Sequence, residues 1–222
     1  MPKIAARFKI YAETAISLIL AIAAIKLTRI IPVLSVKWYL TPAILLAAAL
    51  IPTVIKKQNP IKTLLPIKNI KLSLCLLTLT CLVVLPLLFI ALVILKRWPI
   101  IEMPVLIPPP HGQIANWLIY QFLYVAVSEE VFFRTYLQSS IQNTFDPKPA
   151  GKLIRSNLAA ITISSTAFAA AHIIINNDPM AILVFLPSII FGWLYAKTNS
   201  LLAPILFHGI SNTAYCFMSY LL

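Results

Sequence analysis

The sequence predicts an all-α, polytopic transmembrane helical bundle of about seven spans with a cytoplasmic N-terminus, and three observations lead there. Of 222 residues, 60% are hydrophobic and 11% charged, against roughly 45–50% and 25% in an ordinary soluble domain. Mean hydropathy is +0.92, so most of the chain must be solvated by lipid. The apolar residues form continuous runs near the ~20 residues that a helix needs to cross a hydrocarbon core; the roughly ten-residue alternation of a strand barrel is missing. The 18 basic residues gather in the short connections, as orientation signals do. No repeat, low-complexity segment or soluble domain interrupts the chain, so 1–222 reads as a single integral membrane domain.

The first run starts near Lys9. Lys3, Arg7 and Lys9 before it imitate a secretory signal, and small residues near Ala23 imitate a cleavage site. Glu13 interrupts its start and further spans follow without a polar mature domain, so a retained helix is expected. The second run starts near Trp38, an interfacial anchor, and closes at Lys56-Lys57-Gln58-Asn59-Pro60. The third starts near Leu72 and the fourth near Trp117, a second anchor. The last three start near Leu158, Met180 and Leu201. The longest connection, 96–116, holds five prolines, with Pro108-Pro109-Pro110 extended and stiff; a surface loop is expected. Residues 1–110 carry no motif, whereas 117–222 form a motif-bearing core.

With the N-terminus inside, twelve basic residues fall on the inner side: Lys3, Arg7 and Lys9; Lys56, Lys57, Lys62, Lys68 and Lys71; Lys148, Lys152 and Arg155; and Lys197. Five fall outside, Lys26, Arg29, Lys37, Lys96 and Arg97, and one, Arg134, lies within a run. This predicts the N-terminus inside and the C-terminus outside, in what is expected to be a bacterial cytoplasmic (inner) membrane. The net charge of +12 is therefore topology; the lipid bilayer and a membrane-embedded protein or peptide substrate are the expected partners, and nucleic acid is not. Cys75, Cys81 and Cys216 lie inside apolar runs without disulfide or metal spacing and read as small core or lipid-facing residues.

The six acids are Glu13, Glu102, Glu129, Glu130, Asp146 and Asp178. Glu129 and Glu130 stand side by side inside the fourth run, where an ionisable side chain costs a few kcal/mol and marks a functional site by default. Residues four apart share a helix face and adjacent ones point about 100° apart. Glu130 is thus expected to pair with Arg134, leaving Glu129 without a local cation; the plain alternative is a buried ion pair with a spectator carboxylate. The fifth run contains Phe168 and His172, the seventh His208 and Asn212. Either histidine alone reads more readily as a hydrogen-bonded core residue. His208 and Asn212, at i and i+4, are expected to face one cavity, with Gly209 and Ser211 letting neighbouring helices approach. Phe168 is expected to pack, and His111, in the Pro-rich connection, to be solvated. Ser128, Ser165 and Ser211 lack a recognisable serine-protease or Ser/Lys context and the cysteines are remote in sequence from these motifs, so no nucleophile stands out. Water activation remains: a carboxylate and an imidazole deprotonate water, while His and Asn donate to the oxyanion. Glu129, His172 and His208 would equally suit a zinc ion that acidifies its bound water, and both readings stand at this level.

Glu129-Glu130-x-x-x-Arg134, Phe168-x-x-x-His172 and His208-x-x-x-Asn212, in that order on successive apolar runs, resemble the three motifs of the CPBP family of CAAX proteases and bacteriocin-processing enzymes. The stretch from Thr198 to His208 resembles the family's approach to its last motif. The resemblance spans about 85 residues, from Glu129 to Asn212. It implies a cofactor-free, glutamate-type intramembrane endopeptidase that cuts near the C-terminus of a membrane-anchored or lipidated protein, or processes a peptide. Carried over, Glu129 would activate water with His172, and His208 with Asn212 would form the oxyanion site or complete the polar shell. Glu130 and Arg134 would support the first motif, and Phe168 the second. A glycine common after the motif arginine is Thr135 here, which bears on local packing. Two other readings are an immunity or scaffold protein of the same family that binds without cutting, and a small transporter relaying protons through its acid and histidines. Helical rise leaves one mismatch: Glu129 and His208 fall about 12 and 10 Å from the inner face, but His172 about 21 Å, roughly 10 Å out of line.

Overall fold

A computed structural model describes residues 2–35, 37, 39–98, 105–145 and 153–222. Trp38, Glu102, Asp146, Lys148, Lys152 and the first part of the Pro-rich connection lie outside the described residues. Among those described every element is helical, and the helices occur where the apolar runs predict them. They are α1 (Pro2–Ile30), α2 (Pro32–Ser35), α3 (Leu40–Ile55), α4 (Pro60–Leu64) and α5 (Ile70–Arg97). Next comes a composite rod: a 3-10 turn at His111–Gln113, α6 (Ile114–Ile119), a π-helical segment at Tyr120–Ala126, α7 (Val127–Glu130), a second π-helical segment at Val131–Gln138, and α8 (Ser139–Phe145). The chain ends with α9 (Leu153–Asn176), a 3-10 segment at Pro179–Val184, α10 (Phe185–Thr198) and α11 (Leu202–Leu221). Four stretches are long and apolar enough to cross a membrane: Arg7–Ile30, Ile70–Arg97, Asn157–Asn176 and Pro179–Thr198.

Local chemistry sets several boundaries. Asn59 accepts the Lys62 amide at 3.1 Å and Pro60 occupies the first turn of α4, a capping residue and a proline each in its favoured place. Asp178 and Pro179 open the 3-10 segment in the same way, with the Met180 amide donating to Asp178 at 2.9 Å. Helix α10 stops at Asn199, which takes a left-handed φ of 50°. The turn that follows is stitched to the segment after α4: Asn69 Nδ2 donates to the Thr198 carbonyl at 2.9 Å, the Lys68 amide to Ser200 Oγ at 3.2 Å and the Leu201 amide to the Pro66 carbonyl at 2.8 Å. These bonds fix where α11 begins.

The composite rod is the axis of the bundle. Every residue from Val131 to Gln138 is buried. One side packs Phe132, Phe133 and Tyr136 against Ala21 and Ile25 of α1, Leu45 and Ala49 of α3, and Phe168 of α9. A second core joins Leu77 of α5, Phe191 and Leu194 of α10, and Ala203 and Phe207 of α11. Thr135 fits without strain where the resembling motif has glycine: its hydroxyl donates to the Val131 and Leu64 carbonyls at 2.7 and 3.1 Å, tying the rod to α4. The last part of the Pro-rich connection is anchored as well as exposed, because the Leu106 amide donates to Ser219 Oγ of α11 at 3.3 Å.

The fifth helix is under way by Leu153, five residues before the boundary drawn at Leu158. His172 is then 19 residues from the described start of α9, and Glu129 is 16 from the end of α8. At 1.5 Å per residue these are about 28 and 24 Å, so the two side chains stand nearly level and the expected mismatch disappears.

Small residues let the rods approach. A Cβ placed on Gly209 would lie 2.5 Å from the Phe122 ring. Gly209→Ala should therefore cost about 1–3 kcal/mol. In the Gly209→Ala background, Phe122→Leu should recover part of that loss; thermal unfolding of the four members of this double-mutant cycle measures both terms.

Candidate active site

Glu129 and Glu130 occupy the single α-helical turn between the two π-helical segments, a type of insertion frequent at functional sites. Their side chains diverge as the 100° step demands. Glu130 Oε2 accepts from Arg134 Nε at 2.9 Å, with both side chains fully buried. The rest of the guanidinium is also engaged. Nη2 donates to Ser188 Oγ on α10 at 2.8 Å and Nη1 to Ser164 Oγ on α9 at 3.4 Å; Ser164 in turn donates to the Phe133 carbonyl at 2.7 Å.

The second oxygen of Glu130 organises a third helix. Its Oε1 lies 2.9 Å from His208 Nδ1. A carboxylate already paired with an arginine accepts, so Nδ1 carries the proton and Nε2 is left for the site. His172 is fixed in the same sense, since its Nδ1 lies 3.0 Å from the Phe168 carbonyl and a carbonyl only accepts. Both free Nε2 atoms turn toward one oxygen, Glu129 Oε2, at 3.9 Å from His172 and 3.7 Å from His208. That oxygen is buried and has no hydrogen-bond partner in the protein.

Two aromatic rings hold the imidazoles in plane. Phe168 lies 4.4 Å from the His172 ring, and Phe191 of α10 stacks on His208 at 4.6 Å and 12°. The Arg134 guanidinium carbon sits 5.7 Å from the centre of the Phe168 ring and 5.8 Å from that of Phe191, within cation–π range. The same cation therefore grips the carboxylate and both rings that back the histidines.

Glu129 and His172 line a cavity of about 40 Å³, room for about three water molecules. Its other walls include Leu18, Ile25, Leu45, Phe133 and Ala171. The α9 wall is pinned to α1: Lys26 Nζ donates to the Ile174 carbonyl at 2.7 Å and to Asn177 Oδ1, and Arg29 Nη1 to Asn176 Oδ1 at 2.9 Å. These two cations have a structural use at a helix C-terminus as well as their place in the topology count.

The structure thus brings Glu129, His172 and His208 together, with Glu130, Arg134 and Phe168 directly behind them. Asn212 Nδ2 donates to Gln121 Oε1 at 3.1 Å; like His208, it is outside the lining of the small cavity. His111 is exposed. Sequence reasoning missed Ser164, Ser188, Phe191 and Gln121. A lone hydroxyl or amide within an apolar run is the signal for Ser188 and Gln121, whereas Ser164 is one of several hydroxyls between Thr162 and Thr166 and Phe191 resembles any other core aromatic. Zinc fits less well as the side chains stand. Donors about 2.0–2.2 Å from a tetrahedral ion lie about 3.4 Å from one another, closer than those measured, and among the described residues no group of three His, Cys, Asp or Glu has metal-holding spacing.

The bundle thus combines four stretches apolar enough to cross a membrane with a carboxylate whose one buried oxygen faces two imidazoles from separate helices. Residues 111–214 match the family model described as Rce1-like, type II CAAX prenyl endopeptidase Rce1-like. Over that segment the chain is similar to this family of intramembrane proteases, in agreement with the resemblance drawn from the three motifs. No curated protein shows a significant match to the chain, and no solved structure does.

Removing Arg134 should strand a fully buried carboxylate, so Arg134→Met is expected to cost about 3–5 kcal/mol, with Glu130→Gln in the same background restoring much of it; unfolding midpoints measure both. Phe191→Leu keeps the volume but removes the flat contact on His208. It should lower kcat about tenfold while KM holds, and steady-state kinetics separates the two.

Proposed function

We propose that the protein is a glutamate-type intramembrane endopeptidase, cleaving near the C-terminus of a membrane-anchored or lipidated protein or processing a membrane-bound peptide. The observation that carries this reading is the unpartnered Glu129 Oε2 facing two imidazole Nε2 atoms. Three lone pairs converge there with no donor among them, and a water molecule supplies the missing O–H groups. The small cavity beside them has room for it.

In this reading Glu129 takes a proton from the bound water as its oxygen attacks the scissile carbonyl carbon. The C=O electrons move onto oxygen. The resulting oxyanion is met by His208 or His172 acting as donors when protonated, and by the amide of Asn212 once substrate draws it from Gln121. As the C–N bond breaks, the proton held by Glu129 passes to the leaving amine. The products are a carboxylic acid and an amine, and the carboxylate is regenerated. Glu130 and Arg134 do not touch substrate; they hold His208 in the tautomer that presents Nε2. No step requires a metal or another cofactor. The apolar walls from α1 and α3 suit an apolar substrate segment, and the family match supports a prenylated or otherwise anchored one. The proposed setting is a bacterial cytoplasmic membrane, N-terminus inside, with 1–222 acting as one integral domain.

A farnesylated, internally quenched peptide in detergent micelles or nanodiscs provides the assay. Glu129→Gln should lower kcat by about 10²–10⁴-fold with an unchanged unfolding midpoint, because its Oε2 has no bond to lose. Wild-type turnover in that variant would end the reading of Glu129 as the base, whereas a wild-type protein that binds the peptide without cleaving it would favour a binding or scaffold role. Dialysis against EDTA should leave turnover intact; a loss restored by zinc alone would transfer the water to a metal.

A further inference from the structure

A second, larger cavity lies in the same groove, toward the end of the bundle where Lys56, Lys57 and Lys62 gather. Its volume is about 310 Å³, against about 40 Å³ for the one beside Glu129. Helices α1 and α3 and the composite rod line both. Leu18, Leu45 and Phe132 face the small cavity; Ile10, Thr53 and Tyr136 face the large one. The offset is eight residues on α1 and on α3 and four on the rod, about 12 and 6 Å along the axes. The cavities are therefore stacked along the groove, with a septum of side chains between them.

Polar groups are available to water around the large cavity. Eight of its eleven lining residues are neutral and polar, among them Thr63, Ser139, Ser140 and Asn143. Its one charged lining residue, Lys56, is paired with Glu13 at 2.7 Å, so it offers no uncompensated charge to an ion. At about 10–15 Å³ per molecule it has room for twenty or more waters. The septum is polar at one point: Ser17 Oγ and Tyr136 OH meet at 3.0 Å, beside the fully buried Ala49 and Phe132.

We infer that the large cavity is a water vestibule, and that the Ser17–Tyr136 contact is the passage through which water is resupplied to Glu129. The inference rests on the hydrolase reading for its purpose. Each cleavage consumes one water, its OH going to the acyl product and its remaining hydrogen to the amine. A pocket that holds about three waters between apolar walls must be refilled from somewhere, and the two hydroxyls are the polar link on the side of this reservoir.

Hydroxyl-radical footprinting of the full-length protein in nanodiscs tests this without catalysis. Phe132 is fully buried and lines the small cavity, so its oxidation reports water there. Ser140→Trp fills the vestibule and Ser17→Val removes the septal hydroxyl. In each variant Phe132 labelling should fall at least fivefold while exposed His111 labels as before; the farnesyl-peptide kcat should fall at least fivefold with KM unchanged. Unchanged Phe132 labelling in a variant that unfolds at the wild-type midpoint overturns the vestibule. Ser17→Val serves if Ser140→Trp does not fold. Because the footprint needs no turnover, it decides the water route even where the peptide assay shows no cleavage by the wild-type protein.

Discussion

The fully buried Glu130–Arg134 pair is the contact on which the rest of the site depends. An ion pair in a dry interior repays its desolvation only when geometry is good and the remaining hydrogen-bonding capacity is satisfied. Here the pairing runs through Nε at 2.9 Å, and the surplus donors and lone pairs recruit three further helices. Ser164 brings α9, Ser188 brings α10 and His208 brings α11 to the rod. The assembly of the C-terminal helices is therefore in large part the solvation shell of one pair of charges. Phe168 and Phe191 complete that shell on the faces of the guanidinium and, by their other contacts, fix the planes of the two histidines.

The adjacent glutamates divide satisfaction unequally. Glu130 has a cation, an imidazole and complete burial. Glu129 has two imidazole nitrogens just beyond hydrogen-bond range and one buried oxygen without a partner. A buried orphan acceptor costs on the order of 1–3 kcal/mol, and its neighbour's network is what holds it in place. The π-helical segments flanking α7 contribute too, because each shifts the face that the next turn presents. The rod thereby buries all of Val131–Gln138 while keeping Glu129 turned toward the groove of α1 and α3.

The legible parts of this arrangement were those governed by short-range periodicity. Lipid-scale apolar runs located the helices, and the i, i+4 rule located the Glu130–Arg134 pair from sequence alone. Thr135 needed the fold, since its hydroxyl is satisfied by the carbonyl of Leu64, 71 residues away. The depth of His172 was misjudged because charge and hydropathy mark a membrane boundary, whereas α9 continues past it to Leu153. Helical spacing puts Asn212 on the face of His208, but it does not disclose that the amide donates to Gln121, 91 residues away. Phe191 and Ser188 were invisible for a different reason: their importance comes from contact with Arg134 across helices, and nothing in their own segment announces it.

Residues 1–110 carry no motif and fall outside the family match, yet they supply about half of the small cavity's wall. Leu18, Ala21, Ile22 and Ile25 of α1 and Thr41 and Leu45 of α3 stand opposite Glu129 and His172. The chemistry and the surface that a substrate would touch are thus encoded in different halves of the chain. A charged network admits few alternatives, because each member must match its partner in sign and direction. An apolar wall requires only volume and hydrophobicity, which many residues provide. The motif-bearing half therefore discloses a reaction class through residues that must match one another, whereas the half facing it, walled by interchangeable apolar side chains, withholds the substrate.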